Sequence, residues 1–399
     1  MKANAPLAIV TDALWRKSVS AIRALGSAGY EVYATGDSWL TTGFYSRYTS
    51  RYFVGATAAQ DHDGFGHCLH RAVDAAHGRP VAILPMEDAS CEWLLKHGGE
   101  LPGNARWLLP TPEAFAIARD KGRTCAMARQ LGIPCPATCA PSSVEELREL
   151  VESKSVEDFV LKPCTGSGSS GIVYGKEIKQ VVLERHWATH GPLLLQERIP
   201  GDGVARGVSL FCDRAGKERA SFEHERVRQY PLTGGPSTQR KSVPLDALHD
   251  YSSSLLAAIG WCGVAMVEWK IHPETGQPKL LEINPRFWGS LALAVRSGVD
   301  FPTLYADEVL GRPLPSSQPS YRTDVNCRWL MPGDVLRYIS ESREERESLR
   351  AFIRGSWQTA EEIDPCDARG SVACFLCPAL LAANPRYWKY LRRGGRRVS

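Results

Sequence analysis

The run Lys279-Leu280-Leu281-Glu282-Ile283-Asn284-Pro285-Arg286-Phe287-Trp288-Gly289 places Glu282 and Asn284 two residues apart, with a guanidinium just beyond them. On a strand such neighbours project from one face. Val264 to Ile271 alternates in the same way and carries Glu268 among apolar residues. Between the two runs, His272-Pro273-Glu274-Thr275-Gly276-Gln277-Pro278 is rich in turn formers and predicts a hairpin. A hairpin centred near Thr275 sets Glu268 opposite Glu282. Two carboxylates and an amide oxygen on one face suit Mg²⁺, which is commonly held by one or two carboxylates plus substrate phosphates. Nucleotide chemistry is therefore the first expectation.

Working outward, a chain of 399 residues is too long for one ordinary core and predicts several domains. Its first hundred residues alternate strand and helix. Strands are expected at Leu7 to Thr11, Glu31 to Thr35 and Val81 to Leu84, with helices at Ser18 to Ala28, Phe65 to Ala76 and Ala89 to Lys96. This βαβ rhythm implies a parallel sheet with helices on both faces. The turn Asp12-Ala13-Leu14-Trp15-Arg16-Lys17 lacks the glycines of a dinucleotide fingerprint. A second unit starts with Thr111 as N-cap and Pro112 at the first helical position. It continues with helices around Lys121 to Leu131 and Val144 to Ser153, and a strand from Phe159 that delivers Lys162. Leu193 to about Ala306 has an α+β pattern, and proline and serine mark a linker past Gly311.

Gly166-Ser167-Gly168-Ser169-Ser170-Gly171 matches G-x-G-x-x-G, but the strand-like Ile172-Val173-Tyr174 follows where a Rossmann loop would open a helix. A glycine loop between strands is a flap whose N–H groups can close over phosphates. No P-loop and no kinase H-R-D or D-F-G occurs.

Composition excludes other classes. Arg386, Lys389, Arg392, Arg393, Arg396 and Arg397 crowd the last fourteen residues, and without them the net +4 becomes −2, so no case for nucleic acid remains. No apolar run is long enough to span a membrane, and a cytoplasmic location is expected by default. A weaker alternative is a membrane-surface contact through the basic, Tyr387- and Trp388-bearing end, set against a terminal helix packed on the body. Twelve cysteines, including the Cys374-Phe375-Leu376-Cys377 pair, read as reduced thiols.

Taken together, these motifs resemble the ATP-grasp superfamily, in particular its carboxylate–amine ligase-like branch. The resemblance spans roughly residues 1 to 312. It rests on Asp120-Lys121, Gly132-Ile133-Pro134-Cys135-Pro136, Val160-Leu161-Lys162-Pro163 with the flap, Leu195-Gln196-Glu197-Arg198-Ile199-Pro200-Gly201, and the hairpin. It implies a mixed α/β and α+β fold. A Rossmann-like domain (1–110) would precede two ATP-grasp lobes (111–194, with the flap, and 195–312, with the metal hairpin), and residues 313–399 would form a C-terminal extension.

The resemblance further implies that Lys121 and Lys162 meet ATP phosphates under a flap of Gly166, Ser167, Gly168, Ser169, Ser170 and Gly171. Gln196, Glu197 and Ile199 would face adenine, and Asp202 the ribose. Glu268, Glu282 and Asn284 would hold two Mg²⁺ (or Mn²⁺), with Arg286 and Lys162 acting on the phosphoryl group in transfer. The implied enzyme is an ATP-dependent ligase that makes an acyl phosphate from a small carboxylate and joins it to an amine, releasing ADP and phosphate. Arg226, Arg228, Ser237 and Thr238 are the candidates for substrate contact. Two alternatives stay open: bicarbonate or carbamate chemistry of the carboxylase or carbamoyl-phosphate type, and an ATP-binding regulatory module without turnover. A homodimer also stays open.

Overall fold

Short, fully apolar strands separated by amphipathic helices leave the first hundred residues one way to bury both sheet faces. In the computed structural model, which describes residues 5–166, 171–201, 203–232, 235–342 and 346–383, they form a five-stranded parallel sheet. Its strands are β1 (Leu7–Val10), β2 (Glu31–Gly36), β3 (Thr49–Val54), β4 (Val81–Leu84) and β5 (Ala105–Arg106), in the order β3-β2-β1-β4-β5. The residues of β1 and β4 are buried throughout. The edge strand β3 was not expected. Its residues Ser50, Arg51 and Tyr52 are exposed, so it lacks the apolar run that marks β1.

A four-stranded sheet follows, made of β6 (Thr138–Cys139), β7 (Phe159–Pro163), β8 (Val173–Tyr174) and β9 (Leu193–Glu197), ordered β6-β9-β7-β8. The helix Pro112–Arg119 starts as expected, with the Thr111 side chain accepting from the Ala114 N–H. Asp120 ends it and caps the next helix, Lys121–Gln130, by accepting from the N–H groups of Gly122 (2.8 Å) and Arg123 (3.0 Å). Lys121 thereby occupies the first position of its helix.

The third sheet holds β10 (Ala205–Cys212), β11 (Glu218–Gln229), β12 (Ser237–Val243), β13 (Gly263–Ile271), β14 (Pro278–Asn284) and β15 (Asn326–Arg328). They are ordered β14-β13-β10-β11-β12-β15, all antiparallel. The last member comes from beyond the Pro/Ser-rich stretch: β15 pairs with β12, Arg240 lying opposite Cys327. One apolar cluster joins this sheet to the first, packing Phe211, Phe222, Phe287, Trp288 and Tyr305 against Ala8, Val10 and Leu84. Each fully buried Phe there contributes about 1.5–3 kcal/mol.

Beyond 330, residues 331–342 and 346–383 are mainly helical. The helix Ala368–Ala383 includes Pro378 and buries Cys374 and Cys377 while Val372, Leu376 and Leu380 stay exposed. All twelve cysteines are free thiols. No helix among the described residues is long and apolar enough to cross a membrane. The six basic residues of the C-terminal end, with Tyr387 and Trp388, lie outside the described residues, as do Ser167, Gly168, Ser169, Ser170 and Asp202.

Candidate active site

The β13–β14 hairpin pairs Glu268 with Glu282 as direct partners across the ladder. The register then slips by one residue, so that Trp269 faces Leu280 and Leu281 has no partner. Such a bulge twists a strand and re-aims its side chains. Here Leu281 and Glu282 both line one cavity of about 1000 Å³, whose walls also include Lys121, Lys162, Glu268, Asn284 and Arg286.

Lys121, from its capped helix, reaches Glu282 Oε2 at 3.1 Å and donates to the Gly166 carbonyl at 2.9 Å. Lys162 arrives on β7 and is 8% exposed. Burial first, and then the nearby Lys121 charge, pull its ammonium down to about 8 against the opposing pull of Glu282. The carboxylates respond in opposite directions. Burial and the facing Glu282 raise Glu268 above the ordinary range. Burial also works against ionised Glu282, but Lys121 and Lys162 outweigh it and hold that group low. Asn284 donates its amide N–H to Glu268 Oε1 at 3.1 Å, which reserves the amide oxygen as an acceptor. Among the described residues no three His, Cys, Asp or Glu side chains converge. The donor set therefore fits a hard cation completed by ligand oxygens, the usual habit of Mg²⁺.

Arg286 is fixed from another quarter. It pairs with Asp88 at 3.0 Å and donates to the Phe287 carbonyl at 3.0 Å. Burial would weaken its charge, but Asp88 and Glu87 more than compensate, so its affinity for the proton rises. Lys17 pairs with Glu87 at 2.9 Å and donates to the same Phe287 carbonyl at 3.1 Å. Arg16, Lys17 and Glu87 all line the cavity, although sequence reading had not marked them as site residues. They follow β1 and β4, the strands at which the order of the parallel sheet reverses. Ligands of open α/β sheets bind at that point, beyond the carboxyl ends of the strands. Strand order was the missing signal, because the turn after β1 has no motif of its own.

Across the large sheet, Glu268, Gly207 and His224 stand in one cross-strand row. A Cβ on Gly207 would lie 2.4 Å from the His224 ring, so glycine makes room for the imidazole. Burial, followed by Arg240 and Arg226, lowers His224 to about 3 and keeps it neutral. Its Nε2 lies 3.2 Å from Ser290 Oγ.

The other expected residues divide. Arg226 and Ser237 line the cavity, and Arg226 approaches Glu268 at 3.4 Å while donating to the Gly235 carbonyl at 3.1 Å. Arg228 does not join them. A register shift between Arg226 and Arg228 breaks the two-residue alternation, and Arg228 pairs with Glu347 at 2.8 Å. Thr238 is likewise turned away, donating to Asp334 Oδ1 at 2.9 Å. Gln196, Glu197 and Ile199 are not among the residues lining the cavity. Gln196 is buried and donates to Thr138 Oγ1 at 2.8 Å, and Glu197 accepts from the Ala137 N–H at 2.8 Å. Of the flap, Gly166 lines the cavity, and Gly171 has the left-handed φ of +74° that a glycine accepts.

Comparison with known proteins agrees with this architecture. Residues 192–331 match a family model described as ATP-grasp in the biosynthetic pathway with Ter operon. The carbamoyl phosphate synthase large chain, N-terminal section, of Methanopyrus kandleri is 25% identical over 198 residues, covering 46% of this chain and 34% of its own length. This chain thus spans about a third of that relative. Among solved structures, the biotin carboxylase domain dimer of Hydrogenobacter thermophilus 2-oxoglutarate carboxylase, in complex with MgADP, ADP and bicarbonate, superposes with a TM-score of 0.61. The identity is 18%, over 80% of this chain and 73% of that one. An L-amino acid ligase from Bacillus licheniformis superposes with a TM-score of 0.56 at 16% identity, over 80% and 76%. The match to an ATP-grasp family model thus lies on residues 192–331, across the six-stranded sheet, and the fold that this chain shares with these solved structures extends along most of its length.

Proposed function

We propose that this protein is an Mg-ATP-dependent ligase that activates a small carboxylate as an acyl phosphate and joins it to an amine. The observation that carries the reading is the direct pairing of Glu268 with Glu282, with Lys121 on Glu282 and Lys162, Asn284 and Arg286 on the same cavity. Glu268, Glu282 and the Asn284 oxygen would hold the cation, which when bound disperses charge on the phosphates. Lys121 and Lys162 would bind the phosphates, with the flap around Gly166 to Gly171 as their cover. Arg286, anchored by Asp88, would steady the phosphoryl group as the substrate carboxylate attacks it and ADP leaves. The amine then displaces phosphate from the acyl carbon, losing a proton as the amide forms. Water must be kept out between the two steps, because an acyl phosphate hydrolyses readily.

Bicarbonate is the second reading. The carbamoyl phosphate synthase relative and the bicarbonate-bound carboxylase domain favour it, and the same groups would serve. One assay separates them: ADP and phosphate release with Mg-ATP across an array of amino acids and small acids, with and without bicarbonate. Release that requires both a carboxylate and an amine is expected. Strict dependence on bicarbonate would select the second reading, and tight ATP binding without stimulated turnover would end both.

A further inference from the structure

The wall of the cavity contributed by the parallel sheet has a cation that the proposed phosphoryl chemistry leaves unused. Arg16 begins the helix Arg16–Ser27, lines the cavity, and lies with its guanidinium 4.5 Å from the centre of the Trp329 ring. Its Nη1 donates to Glu361 Oε1 at 3.0 Å. The other oxygen of Glu361 is taken by the fully buried Arg240, so two guanidiniums share one carboxylate. Among the described residues Arg16 has no other acidic partner within 4.0 Å. Its Nη2 rests on Gly289, where a Cβ would come within 2.6 Å. The loop that continues Glu282-x-Asn284-x-Arg286 is therefore shaped to admit this guanidinium.

The helix start beside it also favours negative charge. Trp15 supplies no side-chain cap to the 12-residue helix, so the helix presents its positive end at the crevice between β1 and β4.

We infer that Arg16, with the helix end, forms an anion subsite that anchors the non-reacting carboxylate or phosphate of the amine substrate. Arg16 is then a binding residue, and Glu361 and Trp329 are positioning residues that hold its fork. The reacting carboxylate would be held elsewhere, by the hairpin groups. The substrate class follows as an amine bearing an anionic group, either an amino acid or an amino-alkyl phosphate. This inference rests on the ligase reading, but its test uses binding and does not require turnover.

The test is calorimetric titration of the full chain, saturated with Mg-ADP, with the common L-amino acids, the amide of each amino acid that binds, and phosphoethanolamine. At least one anionic amine should bind while its neutral amide does not, and the phosphate arm decides between the two sources of charge. Arg16→Ala should weaken that binding by about 10- to 100-fold. Arg16→Lys should recover part of it, and Mg-ADP affinity should stay unchanged in both variants, showing that the fold persists. Equal binding of acid and amide, wild-type affinity in Arg16→Ala, or no binding by any anionic probe would overturn the assignment. Anion binding that survives without ADP release from Mg-ATP would instead count against the ligase reading alone.

Discussion

The hairpin wall of the cavity draws its polar groups from 19 consecutive positions, Glu268 to Arg286, whereas Arg16 on the facing wall depends on Glu361, 345 residues away. The first wall is a local device. A turn sets the register, the register opposes two acids, and a bulge aims one of them. The second is a product of tertiary assembly. Arg23 shows the same dependence, donating to Asp367 at 2.9 Å and to the carbonyls of Glu361 and Glu362 at 3.0 and 3.1 Å. Chemistry that needs a fixed carboxylate pair is thus written into one hairpin. The groups proposed to choose the substrate are distributed over the whole chain.

The comparison is broken most directly by Glu282→Gln. If the hairpin alone carries the metal chemistry, turnover should fall by about 10³-fold or more while the melting temperature changes little. Full activity in that variant would remove the metal assignment. Glu361→Ala attacks the other wall through stability. It strands Arg240, which is fully buried, and a buried pair broken at one end typically costs about 3–5 kcal/mol. A denaturant midpoint close to wild type would mean that the C-terminal segment is not integral to the N-terminal wall.

The smallest effect is on pH dependence and belongs to the row that joins the two walls. His224 falls from 6.5 in the unfolded chain to about 3 in the folded one, so between those values the unfolded state binds more protons. Its neutral form therefore supports folding fully above pH 6.5, and that support is lost as pH drops toward 3. This group alone contributes a slope of up to about 1.36 kcal/mol per pH unit. Glu223 and Glu362, both raised to about 7, oppose it by binding protons in the folded state. The difference in urea stability between wild type and His224→Asn, followed from pH 7 to pH 4, isolates the histidine. Parallel curves would show that its burial has no thermodynamic consequence.

What sequence reading recovered follows the same division. The hairpin, the capped helix carrying Lys121, the strand carrying Lys162 and the βαβ start were legible because each is a short-range pattern of apolar spacing, caps and turns. Arg226 and Arg228 looked equivalent at i and i+2, and only the register shift between them explains why one lines the cavity and the other meets Glu347. Arg16, Lys17 and Glu87 were not marked because no local spacing announces them. Their relevance comes from strand order. Residues past 313 offered no motif either, since Glu361 and Asp367 act only through arginines far earlier in the chain.

That last contact has a consequence for the order in which the molecule is made. Arg23 leaves the ribosome 344 residues before Asp367 does. The parallel sheet can form its strands early, yet the guanidinium of Arg23 must wait in water, or in the care of a chaperone, until Asp367 has emerged. Early burial without Asp367 would trap an uncompensated charge. The final packing step of the N-terminal region is therefore expected to be late, slow and sensitive to interrupted synthesis, as contacts of high sequence separation generally are.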